Sequence, residues 1–260
     1  MNPSAALSIM RNRAATAEEL RRLLPKMDGF STGRALPFGL PAIDRCLPQG
    51  GFPCGALHEI APDESSTSSA FGFIVALLAR LPQDRPFFLV MPAYGFREYG
   101  RPHGHGARGL GLDPDRLILV ETAHRKETLW ALEEALRSTA PAAVAGMIDK
   151  LDLKSSQRLH LAAMDAGVPL FLLRQAQFLE SSAAATRWCV GPAPAARDRF
   201  GLLARARWRL RLERCRNGRS GEWVVEYDHV AHRFSLAAAL ADPALSRRAG
   251  GESLRAAGRS

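Results

Sequence analysis

The sequence predicts an α/β domain: a parallel sheet flanked by helices, followed by an antiparallel β-hairpin. Three observations carry this. Short continuous apolar runs alternate with helix-length segments between residues 56 and 173, the pattern of strands buried on both faces. A polar stretch of small residues, Ala61–Ser69, joins the first of these strands to the first long apolar helix. Beyond residue 204 the chain changes to strict apolar/polar alternation, the period of a half-exposed strand.

The elements follow in order. Thr16–Met27 reads as a short amphipathic helix, with Thr16 and Glu19 in a capping-box pattern and Leu20, Leu23 and Leu24 on one face. A linker, Gly29–Pro41, and a short helix, Ala42–Leu47, lead to the turn Pro48–Gly51. Strands are expected at Ala56–Ile60, Phe87–Met91, Leu117–Glu121, Ala142–Ile148 and Val168–Leu173. Helices are expected at Ala70–Leu81, Lys126–Ser138 and Ser155–Ala166. Ala93–Pro114, rich in Gly, Arg and His, reads as a long surface connection containing a short helix. Its His103–Gly104–His105 pair has no cysteine or carboxylate at ligand spacing, so it reads as a basic loop and no metal site. Asp149, Lys150, Asp152 and Lys154 read as a solvated loop, and Gly191–Ala196 as a linker. In Ala204–Glu213, Arg205, Arg207, Arg209 and Arg211 share one face, with Ala206, Trp208, Leu210 and Leu212 on the other. Asn217–Gly218 supplies the turn and Trp223–Tyr227 the return strand. From Asp242 the composition is that of a disordered basic tail. The expected division is residues 1–36 for the N-terminal helix and linker, 37–241 for the α/β domain with its hairpin, and 242–260 for the tail.

Composition narrows the class. With 260 residues, 47% hydrophobic and 23% charged, the chain can bury one main core. The longest apolar run, Ala70–Ala79, is too short to span a bilayer, and the first residues lack the apolar core of a signal peptide. A cytoplasmic location without a membrane partner is expected. Cys46, Cys54, Cys189 and Cys215 form no C-x-x-C pair, which suits incidental reduced thiols.

Two features bear on chemistry. Cys54–Ser69 has the strand–loop–helix layout of a phosphate-binding loop, G-x-x-x-x-G-K-[ST], but its diagnostic slots hold Ala61, Ser66, Thr67 and Ser68. Without the glycines and the lysine, and with Asp63 and Glu64 beside them, Ala61, Ser65, Ser66, Thr67 and Ser68 read as a vestigial loop. No cofactor and no catalytic residue are expected there. The competing reading keeps the serines as an altered anion site at a helix N-terminus. The second feature is charge. The net balance is +9, and Arg197–Arg219 alone holds nine arginines against Asp198 and Glu213, a local balance of +7. Such clustering points to an anionic partner, nucleic acid or an acidic protein surface, with Arg205, Arg207, Arg209, Arg211 and Arg214 as the candidate contacts. Charge that protects an edge strand is the alternative. Alternation turns Trp208 inward, which argues against base stacking.

The run Ala42–Ile60, AIDRCLPQGGFPCGALHEI, resembles the start of the RecA core, through Ile43–Asp44, Gly50–Gly51–Phe52–Pro53, Gly55 and Glu59–Ile60. Gly109–Val120 resembles that family's L-G-[VL]-D segment, and the likeness extends from about Pro37 to Ala239. It implies a RecA-like sheet with a degenerate phosphate loop. Where RecA places its water-activating glutamate, Pro92 or Ala93 stands here. The magnesium-associated aspartate falls near Gly146 or Met147, with Asp149 two or three positions late. Together these departures imply that ATP turnover is lost.

Within that fold the chain resembles the ImuA family, through Leu47–Glu59, the helix Thr122–Arg137, and the segments Ala206–Trp223 and Val225–Ala238. That resemblance implies a non-catalytic accessory role in SOS-induced, error-prone translesion DNA synthesis. The implied partners are an inactive Y-family polymerase homologue, RecA, or both, with DNA contacts as a further expectation. Because an N-terminal helix of RecA packs on its neighbouring protomer, Thr16–Met27 is a candidate to dock on RecA, on a second copy or on its own domain. Two other functions compete: a divergent ATPase using Ser68 and Asp149 with Lys150 or Lys154, and a SulA-like cell-division inhibitor.

Overall fold

A computed structural model of the chain describes residues 34–63, 66–95, 100–175, 181–197, 200 and 203–237. The expected helix Thr16–Met27, Ser65 of the loop and the expected tail lie outside the described residues.

Each parallel-sheet unit forms where an apolar run meets a capped helix. Strand β3 (Leu57–Pro62) is wholly buried, and α2 (Thr67–Leu78) follows it. Next come β4 (Phe87–Pro92), the short helix α3 (Gly104–Gly109) and β5 (Leu117–Thr122). Helix α4 (Arg125–Arg137) starts where the His124 ring accepts the Glu127 N–H, and leads to β6 (Ala143–Met147). Helix α5 (Leu153–Ala166) starts at Asp152, whose carboxylate accepts the Ser155 N–H at 2.8 Å, the geometry of a strong N-cap. Those bonds from Ser155 hold the Asp152 carboxyl down at about 2. Gly167, at φ +64°, closes α5 in the left-handed conformation that glycine adopts without strain, and β7 (Leu170–Leu173) follows. Asp152 also pairs with Arg125 at 2.7 Å, so the expected solvated loop is a helix start tied to its neighbour.

Two expectations are corrected. The segment from residue 34, read as linker, is part of the fold. β1 (Ala35–Leu36) pairs with β2 (Phe52–Pro53) around α1 (Pro41–Asp44), and Phe38 is fully buried. Gly51 approaches the Leu36 carbonyl too closely for any Cβ. The second correction is β8 (Thr186–Pro192), a core strand not expected from the sequence, which takes in the first two residues of the expected linker Gly191–Ala196. Its side chains alternate between full and partial burial, so it lacks the continuous apolar signature of the other core strands.

Beyond β8 come β9 (Ala196–Arg197), β10 (Leu203–Cys215), β11 (Gly221–Asp228) and β12 (Arg233–Leu236). The ten-stranded sheet runs in the order β12-β11-β10-β8-β3-β7-β6-β4-β5, with β9 on β10. From β8 to β5 all pairs are parallel, and from β8 outward through β10, β11 and β12 they are antiparallel.

Both faces carry a core. On one, Phe73, Ile74 and Leu77 of α2 meet Phe38, Phe52, Trp188, Trp208, Tyr227 and Phe234, with Phe38 and Phe234 ring centroids 4.6 Å apart. Each such side chain stabilises the fold by about 1.5–3 kcal/mol through removal from water. On the other, Leu132 and Leu136 of α4 and Leu159 of α5 cover Leu57, Val90, Val144, Leu170 and Leu172. The two cores differ in extent. The aromatic core reaches across β8, β10 and β11, whereas α4 and α5 cover only the strands from β3 to β5. The opposite face of β10 and β11 is therefore left to solvent, with Arg205, Arg209, Arg211, Glu222 and Val224 all exposed or half-exposed.

Candidate functional site

In an open parallel sheet, ligand sites form at the carboxyl ends of the strands, where the strand order reverses. Here β4 lies three places from β3 on one side, while β8 lies next to β3 on the other. The crevice at this point has a volume of about 100 Å³ and is lined by Thr67, Ser68, Phe71, Met91, Arg101, Met147 and Leu173 among others. Most of its wall is apolar. Arg101 reaches its rim and is ion-paired with Glu121. The loop hydroxyls serve the helix start: Ser66 Oγ lies 3.1 Å from Ser68 Oγ and 2.9 Å from Ser69 Oγ, and accepts the Ser69 N–H at 3.2 Å. Asp63 points away, its carboxylate resting against Gly191 of β8 where no Cβ would fit. A second, largely apolar cavity of about 200 Å³ adjoins the crevice, sharing Phe71 and Pro102 with it, bordered by His103 and extending along α2 to Leu78.

The arginine face has its own geometry. Arg205, Arg207, Arg209 and Arg211 lie on one face of β10 as expected, and Trp208 points into the aromatic core at 6% exposure. The face is not a bare cationic stripe, because β11 lays acids directly across it. Arg207 faces Glu226 in the ladder and Arg211 faces Glu222. The Arg207 guanidinium, only 7% exposed, binds the Glu226 carboxylate, and Nε donates to Oε1 at 2.7 Å. Arg205 reaches Asp228 at 3.3 Å and Glu226 at 3.6 Å. Arg211 pairs with Glu213 at 2.7 Å, which raises its already high pKa. Arg214 donates to the Ser182 carbonyl at 3.0 Å. Arg209 is exposed, stands between Gly191 and Val224 in the ladder and makes no ion pair among the described residues. The +7 counted along the sequence is thus partly cancelled by Glu222, Glu226 and Asp228, which belong to the neighbouring strand.

A third cluster had no precedent in the sequence patterns. Glu59, fully buried at the middle of β3, accepts from Arg174 Nη1 at 2.5 Å through Oε1. Through Oε2 it accepts from Arg187 Nε at 2.9 Å and Nη2 at 2.8 Å. Arg174, also fully buried, follows β7 and donates from Nε to the Asp149 carbonyl at 3.4 Å. The Asp149 Oδ1 is buried and has no hydrogen-bond partner among the described residues. On the opposite face of β3, His58 Nε2 lies 3.0 Å from the Pro53 carbonyl and Nδ1 lies 2.9 Å from the Thr186 hydroxyl. A carbonyl only accepts, so the ring proton sits on Nε2 and Thr186 donates to Nδ1. Complete burial pushes this imidazole down to about 4, and it stays neutral.

The chain is 36% identical over 224 residues to proteins named "Protein ImuA" from two strains of Caulobacter vibrioides, an alignment covering 80% of this chain and 90% of each relative. The chain belongs to the ImuA family. No family model matches it.

For this ImuA-family chain, the structure brings Thr67 and Ser68 to the crevice, but not Asp149, which lies outside its lining. The His103 and His105 rings lie 5.1 Å apart at a tilt of 42°, and no cluster of three metal-ligating side chains occurs among the described residues. The four cysteines are free thiols, with burial raising those of Cys54, Cys189 and Cys215, the last to about 11. No helix among the described residues is long and apolar enough to cross a membrane. The missed residues are Arg174 and Arg187. One signal was available: a glutamate inside an otherwise apolar strand requires a buried cation, though nothing nearby says which.

Proposed function

We propose that this ImuA-family chain is a RecA-shaped accessory protein of damage-induced, error-prone DNA synthesis, working in the cytoplasm through binding and without nucleotide turnover. One observation carries the non-catalytic part. Apart from Thr67, Ser68 and the Glu121-paired Arg101 at its rim, the crevice where a phosphate loop would work is walled by Phe71, Met91, Met147 and Leu173, and the loop serines bond one another. A triphosphate entering it would lose water and meet sulfur and hydrocarbon in return, a transfer that costs several kcal/mol for a charged group. The central position of β3 between β7 and β8, with the following strands displaced to one side, supports the RecA-like reading of the sheet. Membership of the ImuA family supports the role in mutagenesis. The uncovered face of β10 and β11, with Arg209 at its centre, supports docking of an acidic partner, for which the inactive polymerase homologue and RecA are the candidates.

Calorimetric titration of the full chain with ATP and Mg²⁺ tests the central claim. The expected result is no saturable heat. Saturable binding that is lost on Ser68→Ala, with hydrolysis lost on Asp149→Ala, would establish a divergent ATPase in its place.

A further inference from the structure

Helices α4 and α5 run side by side in the same direction, both being crossovers between parallel strands. Their outer surface does not close. Near their N-terminal ends Trp130 stands 63% exposed over a hollow of about 200 Å³ between Leu129 and Leu159. Near their C-terminal ends a larger hollow of about 400 Å³ lies between Arg137 and Thr139 on one side and Leu161, Ala162 and Asp165 on the other. Leu153 and Leu161 add exposed apolar surface, at 48% and 49%. A large aromatic side chain this exposed is unusual away from a contact surface, and Trp is the residue type most often found at the energetic centre of an interface.

We propose that this face is a self-docking surface. Two copies of the chain associate through the α4/α5 face about a two-fold axis, the Trp130 of each entering the larger hollow of the other. Three features select a second copy over a different partner. First, projection and hollow sit on the same face at opposite ends, and a two-fold rotation brings each opposite the other, as an isologous contact requires. Second, the uncompensated charges are opposite at the two ends. Lys126 borders the Trp130 hollow and Asp165 borders the other, and neither makes an ion pair among the described residues. The same rotation sets each lysine beside the other copy's aspartate. Third, Glu133 and Arg158, which border both hollows and so lie where the face must meet itself, are paired with each other, and the neighbouring Arg137 and Glu134 keep the cluster neutral. Arg137 binds Glu133 at 2.6 Å and Glu134 at 3.2 Å, and Arg158 binds Glu133 at 2.5 Å, two cations against two anions.

Size sets the strength. Two helices, each about 20 Å long and about 10 Å wide, offer a footprint on the order of 400 Å² per copy, or about 800 Å² in all, below the roughly 1,000 Å² of a stable specific interface and in the range of transient contacts. The dimer is therefore weak and reversible, with dissociation in the micromolar range or above.

Sedimentation equilibrium of the full chain over a wide concentration range tests this. A monomer–dimer equilibrium is expected, weakened by about thirtyfold in Trp130→Ala, as for a central interface aromatic. Lys126→Glu should weaken it by about tenfold, and the double variant Lys126→Glu/Asp165→Lys should restore it, because the opposed charges are re-formed with their signs exchanged. Far-UV circular dichroism checks that Trp130→Ala folds, and the charge exchange decides independently if it does not. A chain that stays monomeric at the highest concentrations overturns the proposal. So does a dimer indifferent to Trp130→Ala, or one that the charge exchange fails to restore.

Discussion

Replacing Glu59 with alanine should destabilise this protein more than any surface substitution, because it removes the buried carboxylate that two arginines share. Glu59 and Arg174 are fully buried, and the carboxylate serves Arg174 through one oxygen and Arg187 through the other. The favourable energy of such a triad largely offsets the cost of taking its members out of water, so the intact cluster adds little net stability. Breaking it is another matter. Without Glu59 the Arg174 guanidinium stays enclosed with no counter-charge on β3, a loss of about 3–5 kcal/mol. That is a large part of a total stability on the order of 5–15 kcal/mol. Urea unfolding followed by tryptophan fluorescence is suited to the measurement, since Trp188 is fully buried two strand neighbours away from Arg174. With a denaturant slope of about 2 kcal/mol/M, the midpoint should fall by about 2 M. Replacing Glu59, Arg174 and Arg187 together by apolar residues of similar volume should recover most of the loss, a strongly non-additive outcome. A Glu59→Ala loss below about 1 kcal/mol, or a triple variant less stable than the single one, would refute the reasoning.

Two further perturbations separate structural groups from binding groups. His58 is neutral in the fold, held at about 4 against an ordinary 6.5, so the unfolded chain takes up its proton first as pH falls. Its contribution is complete above pH 6.5 and is lost progressively between 6.5 and about 4, amounting to about 3 kcal/mol. Thermal unfolding across that range should show the loss, and His58→Gln should flatten it; an unchanged slope in that variant would assign the acid sensitivity elsewhere. Along β10, Arg207→Ala should lower stability by about 1–3 kcal/mol by removing the closer of the two arginines paired with the largely buried Glu226. Arg209→Ala, at an exposed position without an ion pair, should leave stability unchanged and weaken capture of the acidic partner, which a pull-down with the polymerase homologue or RecA reads directly. Equal retention of the partner by wild type and Arg209→Ala would remove this face from the proposed function.

Local patterns carried far in this chain. The apolar runs located β3, β4, β5, β6 and β7, and helical spacing located α2, α4 and α5, because both report how a segment meets water and need no distant partner. Period-two alternation placed the β10 arginines on one side and Trp208 on the other for the same reason. Strand β8 escaped, since one of its faces meets the aromatic core and the other meets Glu59 and the open surface, blurring its pattern. A count of arginines along the chain does not show their partial neutralisation, because Glu226 and Asp228 lie on the adjoining strand and become neighbours only through the ladder register.

By itself, then, the sequence determined most of the core strands and helices, their faces, and the absence from the loop of the glycines and lysine of a phosphate-binding motif, all of which reside in the identity and spacing of nearby residues. Only the tertiary structure decided that β8 joins the parallel sheet to the antiparallel extension, that Met91, Met147 and Leu173 from three strands wall one crevice, and that Glu59 binds arginines 115 and 128 residues away. Those contacts depend on strand order and register, which side-chain periodicity along a single segment does not encode.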